Sequence, residues 1–295
     1  MEKNGSGKKI IGGILFGCAL LLCVAALVYV GTRRPEIIFP AISQEKTQVL
    51  FLGDSNIDFS FGGTKIPNMF EEKTGYVAYN AAIGGTCAAN TSKYISNSNY
   101  YTLLSFFNLT KMMEAGDFSA MIRNRDTVNN SNSNLREKHT ILTHLDYSVM
   151  DYVVIHYGLN DYYCGTLIKG EDPYDENTYE GALRAGIEQV HKSCPDAVII
   201  LSSITYTRYE TGDGNTASGY ELDFGGGTIE AYRDGMKKIS EEYPYTVFLD
   251  NLSGMGIGDE NYSEGYYHDA MHFDEKAREI YTEGLVDLIR SMEEE

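Results

Sequence analysis

A chain of 295 residues is long enough, even without its first thirty, to bury the core of one α/β domain of ordinary to large size. The formal net charge is −18, and residues 31–295 alone carry −20, because Lys3, Lys8 and Lys9 outnumber Glu2 ahead of them. That balance argues against a partner in nucleic acid or an attraction to anionic membrane surfaces. The five cysteines, two of them in an apolar run and three of them later without metal-like spacing, argue against a disulfide framework.

Residues 1–9 read as a short head. Ile10 to Val30 follow as 21 positions without a charge. As a helix they extend about 31 Å, close to the roughly 30 Å of a bilayer's hydrocarbon core. A cleaved signal peptide has a shorter apolar core and a small residue at the cut, where this run ends Val28-Tyr29-Val30. A lipoprotein signal at Leu15-Phe16-Gly17-Cys18 is opposed by Phe16 and by the apolar residues beyond Cys18. The expectation is an uncleaved transmembrane anchor over 10–30. The short head and the long domain favour the amino terminus inside the cell and the domain outside, although Arg33 and Arg34 weaken the positive-inside bias. Residues 31–47, with Pro35 and Pro40, read as a linker.

The folded domain is expected over 48–292. Gln48 to Leu52 reads as a buried strand ended by Gly53, Ile66 to Lys73 as a short helix, and Tyr76 to Ala82 as a second strand. Residues 86–150 read as a helical insertion. In it Leu103, Phe106, Phe107, Thr110 and Met113 recur at helical spacing, a pattern expected to pack on the core. Val128 to Asn134 reads as an exposed loop.

From Asp151 the alternation is regular. Strand Tyr152–Tyr157 leads to a helix with Tyr179, Leu183, Ile187 and Val190 on one face, then to strand Ala197–Ile204. A Gly-rich loop over 205–227 precedes a helix aligning Ile229, Tyr232, Met236 and Ile239. Strand Thr246–Leu249 and helix Glu275–Met292 complete the pattern. Strands alternating with helices predict a parallel sheet covered by helices on both faces.

Four short blocks fall at the ends of these elements. They are Gly53-Asp54-Ser55, Asn80 to Gly85, Gly158-Leu159-Asn160-Asp161, and Asp269-Ala270-Met271-His272. In this order they resemble the SGNH (GDSL-like) hydrolases, whose four motif blocks contribute a serine, a glycine, an asparagine and a histidine. The resemblance implies a flavodoxin-like three-layer α/β/α sandwich around a five-stranded parallel sheet. It also implies a serine esterase activity that needs no cofactor and no metal.

Ester acyl transfer needs a nucleophile, a base, an orienter for the base and donors for the oxyanion. Ser55 fits the nucleophile and His272 the base, its reference pKa of about 6.5 leaving it mostly neutral at pH 7. Asp269, three residues earlier, can reach one ring nitrogen and fix the tautomer. The candidate oxyanion donors are the Ser55 N–H, the Gly85 N–H and the Asn160 side-chain amide. The resemblance assigns the glycine role to Gly85 rather than Gly84. Gly53, Asp54 and Gly158 are expected to support these groups. Read one at a time, the same residues are ordinary: Asp54 and Ser55 can cap a helix, Gly84 and Gly85 can form a turn, Asn160 and Asp161 can form a loop, and Asp269 can cap the last helix.

Rival chemistries fit less well. No Gly-x-Ser-x-Gly elbow is present. His268, Asp269 and His272 resemble metal ligands only locally, with no second cluster elsewhere. A lipase or lysophospholipase, an O-acyltransferase, and a surface binding module without activity remain open alternatives. The expected partner is a small acyl ester, foremost an acetylated glycan, because an anchored outer domain meets glycans first. The loops near the blocks also carry Tyr162, Tyr163, Tyr206, Tyr209, Tyr220, Tyr262, Tyr266 and Tyr267, rings suited to sugar faces.

Overall fold

The structure is a computed structural model and describes residues 46–90, 102–125, 134–211 and 215–294. The expected head, the expected anchor over 10–30 and nearly all of the expected linker lie outside the described residues. Among the described residues no helix is long and apolar enough to cross a membrane.

Strand β1 (Gln48–Gly53) is buried at every position, as an apolar run in a sheet covered on both faces must be. Helices α1 (Ser55–Asp58) and α2 (Ile66–Thr74) follow it, then β2 (Val77–Asn80). The insertion supplies α3 (Phe106–Ala115), α4 (Ser119–Arg125) and α5 (Leu135–His144). Next come β3 (Tyr152–His156), α6 (Leu159–Cys164), α7 (Tyr179–Ser193) and β4 (Val198–Ser202). Beyond them lie β5 (Arg208–Glu210), β6 (Thr216–Ser218), α8 (Ile229–Ser240), β7 (Thr246–Leu249), α9 (Asn251–Gly254) and α10 (Glu275–Glu293).

The main sheet has five parallel strands in the order β2-β1-β3-β4-β7. Two helical groups cover it: α2 packs with α10, and α7 packs with α3 and α8. This is the flavodoxin-like strand order, and its direction of winding reverses between β1 and β3. Ligands of such sheets bind beyond the carboxyl ends of the strands at that reversal. Ser55 follows β1 directly, and Asn160 lies four residues past the end of β3.

The insertion stripe packs on the core in part, with Leu103 and Phe107 only half-buried. Ser105 caps α3, and Phe106, Thr110 and Met113 are buried while Leu103 precedes the helix. Close packing on α7 depends on Gly186, where a Cβ would stand 2.2 Å from the Phe106 ring. Thr110 Oγ1 then donates to Gln189 Oε1 across the two helices at 2.7 Å. The expected loop over Val128 to Asn134 lies outside the described residues except for Asn134, which caps α5.

One feature departs from the expected loop at 205–227: β5 and β6 pair there as a small antiparallel sheet. Three paired residues per strand are too few for a period-2 pattern to stand out. The hairpin matters to the site, because the Arg208 N–H donates to Ala270 O at 2.9 Å and braces the loop that carries His272.

Candidate active site

Gly53 ends β1 where the chain has no room for a side chain. A Cβ there would lie 2.9 Å from Ile57 Cγ1 and 3.0 Å from His156 O. Asp54 then caps α1, its Oδ1 accepting from the Asn56 N–H at 3.0 Å. The cap turns the chain so that Ser55 opens α1, with only 4% of its surface exposed.

Asp269 and His272 form a compact unit of their own. Asp269 Oδ1 accepts from the backbone N–H of Met271 at 2.8 Å and of His272 at 2.7 Å. Its Oδ2 lies 2.7 Å from His272 Nδ1, and His272 Nε2 lies 3.0 Å from Ser55 Oγ. Burial would raise the Asp269 carboxyl, but the imidazole bond, the two backbone N–H groups and the charge of His272 outweigh it. The carboxyl is held at about 2. Asp269 is therefore ionised at neutral pH.

His268, adjacent in sequence, points elsewhere. Its ring stacks on Phe61 at 4.2 Å between centroids, and its backbone N–H donates to His272 O at 2.8 Å. Phe61 has a φ of 46°, a left-handed conformation rare for an aromatic residue. The residue is 39% exposed, and its ring centroid lies 5.4 Å from that of His272. Nothing in the sequence marked this residue. Phe59 lies on the same side, 5.8 Å from His272, and fills the space above Gly84, where a Cβ would meet its ring at 2.2 Å.

Gly84 and Gly85 form the turn after β2. Gly85 has a φ of 79°, which favours glycine. Asn160 sits on the N-terminal turn of α6, and its Nδ2 donates to Thr86 O at 3.0 Å, which holds the amide beside that turn. An amide nitrogen carries two hydrogens, so this bond leaves Nδ2 a second donor. Gly158, just before α6, has a φ of 131°, and a Cβ there would lie 2.8 Å from Tyr179 Oη. The structure thus joins Ser55, Asp269 and His272 in one hydrogen-bonded chain and ties Asn160 to the residue after Gly85.

Asp161 is a staple that its sequence position did not reveal. Its two carboxylate oxygens accept from the N–H groups of Ala88 at 2.7 Å and Ala89 at 3.0 Å. The bonds lock α6 against the segment that follows Gly85. Burial raises the Asp161 carboxyl to about 6 against the pull of those bonds. Asp54 is more extreme: burial, opposed by the Asn56 N–H and by His272, pushes it up to about 7. Its Oδ2 has no hydrogen-bond partner among the described residues. His156 is also a core residue, its Nδ1 3.2 Å from Ser202 Oγ, and burial lowers it to about 4.

The eight tyrosines divide. Tyr162, Tyr206, Tyr209 and Tyr266 are buried, and Tyr262 and Tyr267 are half-buried. Tyr162 donates to Gly219 O and Leu222 O, Tyr262 to Asp269 O, and Tyr267 to Tyr206 O. Most of these rings build the loops instead of facing a ligand. Tyr163 and Tyr220 are the exposed ones, at 41% and 37%. No group of side chains able to hold a metal ion occurs among the described residues.

No protein-family profile and no curated protein matches the chain. Solved structures do match in fold. A protein from Lactobacillus plantarum superposes with a TM-score of 0.54 at 12% identity, over 83% of this chain and 97% of its own. A protein described as a possible lipase from Chitinophaga pinensis gives 0.52 at 15% identity, over 84% and 99%. A salicylyl-acyltransferase from a tetracycline biosynthetic pathway gives 0.50 at 13% identity, over 85% of this chain and 56% of that one. At these identities the likeness establishes the α/β fold.

Proposed function

We propose that this chain is a serine esterase that removes small acyl groups, acetyl foremost, from carbohydrate. One observation carries the reading: the hydrogen-bonded chain from Asp269 through His272 to Ser55, at 2.7 and 3.0 Å, lies beyond the carboxyl ends of a parallel sheet. Three residues from two distant parts of the chain meet at the distances that serine acyl transfer requires.

The geometry supports the following mechanism. Ser55 Oγ attacks the ester carbonyl while His272 Nε2 takes its proton, and Asp269 stabilises the imidazolium that results. The oxyanion is received by the N–H groups of Ser55 and Gly85 and by the Asn160 amide. The intermediate then expels the alcohol, which takes the proton from His272 and leaves an acyl-serine. Water repeats the sequence, giving its proton to His272 and releasing the acid and Ser55.

Two features favour a short acyl group on a sugar. Phe59 and Phe61 crowd His272 and Gly84, so a long chain would have to displace aromatic rings. Phe61, Tyr163 and Tyr220 offer exposed rings of the kind that sugar faces pack on. Residues 10–30 complete the reading as a membrane anchor, with the domain outside the cell. A second reading is favoured by the fold shared with a salicylyl-acyltransferase. The same acyl-serine can pass its group to a sugar hydroxyl in place of water.

The test is covalent and kinetic. A fluorophosphonate probe labels Ser55, and Ser55→Ala abolishes labelling and turnover; undiminished hydrolysis by that variant would remove the mechanism. A series of aryl esters from two to twelve carbons, run beside an acetylated oligosaccharide, tests the substrate. A maximum at eight carbons or more, with no acetate released from the sugar, replaces the proposal with a lipase.

A further inference from the structure

Among the described residues of the helical insertion over 86–150, one charged side chain is buried in the interior. Lys138 lies on α5, on the face it shares with the buried Leu135, Ile141 and Leu142, and only 1% of it is exposed. Its Nζ is 2.8 Å from Asp58 Oδ1 and 3.1 Å from Asn80 O, to which it donates. Asp58 is the last residue of α1, three positions after Ser55, and is fully buried. Its other oxygen, Oδ2, accepts from the Gly84 N–H at 3.1 Å.

One connection therefore runs from the insertion to the turn beside the nucleophile. Lys138 neutralises Asp58, Asp58 holds the Gly84 peptide, and the next peptide carries the Gly85 N–H. The same lysine grips the end of β2 through Asn80 O, so both ends of the turn's approach are held from α5. A buried carboxylate without a counter-charge is strongly disfavoured and would protonate or swing toward solvent. Burial lowers the Lys138 ammonium, and the Asp58 carboxylate opposes that shift. Lys65, another cation near Asp58, is 3.5 Å from Oδ1 with 31% of its side chain exposed.

We propose that Lys138, acting through Asp58, is a positioning residue that sets the Gly84–Gly85 turn, so that the insertion holds one wall of the oxyanion site. The inference rests on the esterase reading for its kinetic consequence, and on geometry alone for its structural one. A displacement of about 1 Å at such a donor can lower turnover by roughly 100-fold while leaving ground-state binding almost intact.

The experiment compares Lys138→Met, Lys138→Arg and Asp58→Asn in the full-length chain. It measures kcat and KM on 4-nitrophenyl acetate and amide hydrogen exchange over residues 81–89. The expected result for Lys138→Met is a fall in kcat of about 10- to 100-fold with KM within about twofold. Exchange over 81–89 rises by at least about tenfold, and Lys138→Arg recovers most of both. A wild-type kcat in Lys138→Met, or a loss of kcat without faster exchange over 81–89, overturns the proposal. Should Lys138→Met fail to fold, unchanged kcat and exchange in both Lys138→Arg and Asp58→Asn overturn it. A wild-type chain that neither turns over the ester nor reacts with a serine probe refutes the esterase reading instead. The exchange result then decides the positioning claim alone.

Discussion

Asp269 grips His272 from two directions, accepting its backbone N–H with Oδ1 and meeting its Nδ1 with Oδ2, both at 2.7 Å. The carboxylate thereby fixes the ring's position and its tautomer together. Asp269→Asn keeps the size and can keep the backbone bonds but loses the charge that stabilises an imidazolium. The expected fall in kcat on an aryl acetate is about 10³- to 10⁴-fold, with KM little changed. A loss below about tenfold would show that Asp269 is only a turn former.

Asn160 is tethered to Thr86 O through one N–H, which aims the rest of the amide from a fixed point. Asn160→Ala is expected to lower kcat by about 10²- to 10³-fold, because an oxyanion donor acts mainly on the transition state. Steady-state kinetics over a range of substrate concentrations separate the cases. A change confined to KM takes Asn160 out of the oxyanion site.

Asp54 links the site to stability. Its folded carboxyl sits at about 7, above an unfolded value of about 4, so the fold prefers the protonated form. The contribution of Asp54 to stability is full below about pH 4, falls as pH rises toward 7, and levels off above it. The whole effect is on the order of 4 kcal/mol. Asp54→Asn retains a good capping residue and abolishes the titration, so its advantage over the wild type should grow between pH 4 and 7. Urea denaturation at pH 4.5 and pH 8 checks this, and parallel pH dependence in the two proteins would contradict it.

Gly158 is held by conformation and by space. At a φ of 131°, with Tyr179 Oη 2.8 Å from a would-be Cβ, Gly158→Ala carries both backbone strain and a clash. A loss of about 2–4 kcal/mol is expected. Tyr179→Phe removes the clashing hydroxyl and should recover part of that loss in the double variant. Thermal unfolding of the two single variants and the double measures the coupling.

The proposed anchor is tested on the whole chain. It should stay with membranes through alkaline carbonate extraction, whereas a chain lacking residues 1–33 should not sediment with them. Protease added outside intact cells should digest the domain, and its protection would reverse the proposed orientation.

Some of this architecture is local, and the sequence by itself determined it. The stripe on α3 follows from the 3.6-residue period of the helix, and the continuous apolar run of β1, bounded by Gly53, marks a strand buried on both faces. The pairing of Asp269 with His272 is of the same kind, since three residues of a turn bring two side chains together whatever surrounds them. Other relationships depended on tertiary structure. Asp58 meets Gly84 across 26 positions and Asp161 meets Ala88 across 73, and no periodicity links such partners. The β5–β6 hairpin and the burial of Tyr162, Tyr206, Tyr209 and Tyr266 were decided by packing around the loops. A tyrosine has an apolar body and a polar tip, so its composition suits a core and a ligand surface equally. Lys138 is the sharpest case: a lysine on a short helix belongs by default in water, and only the buried Asp58 and Asn80 O waiting at its end make an interior position stable.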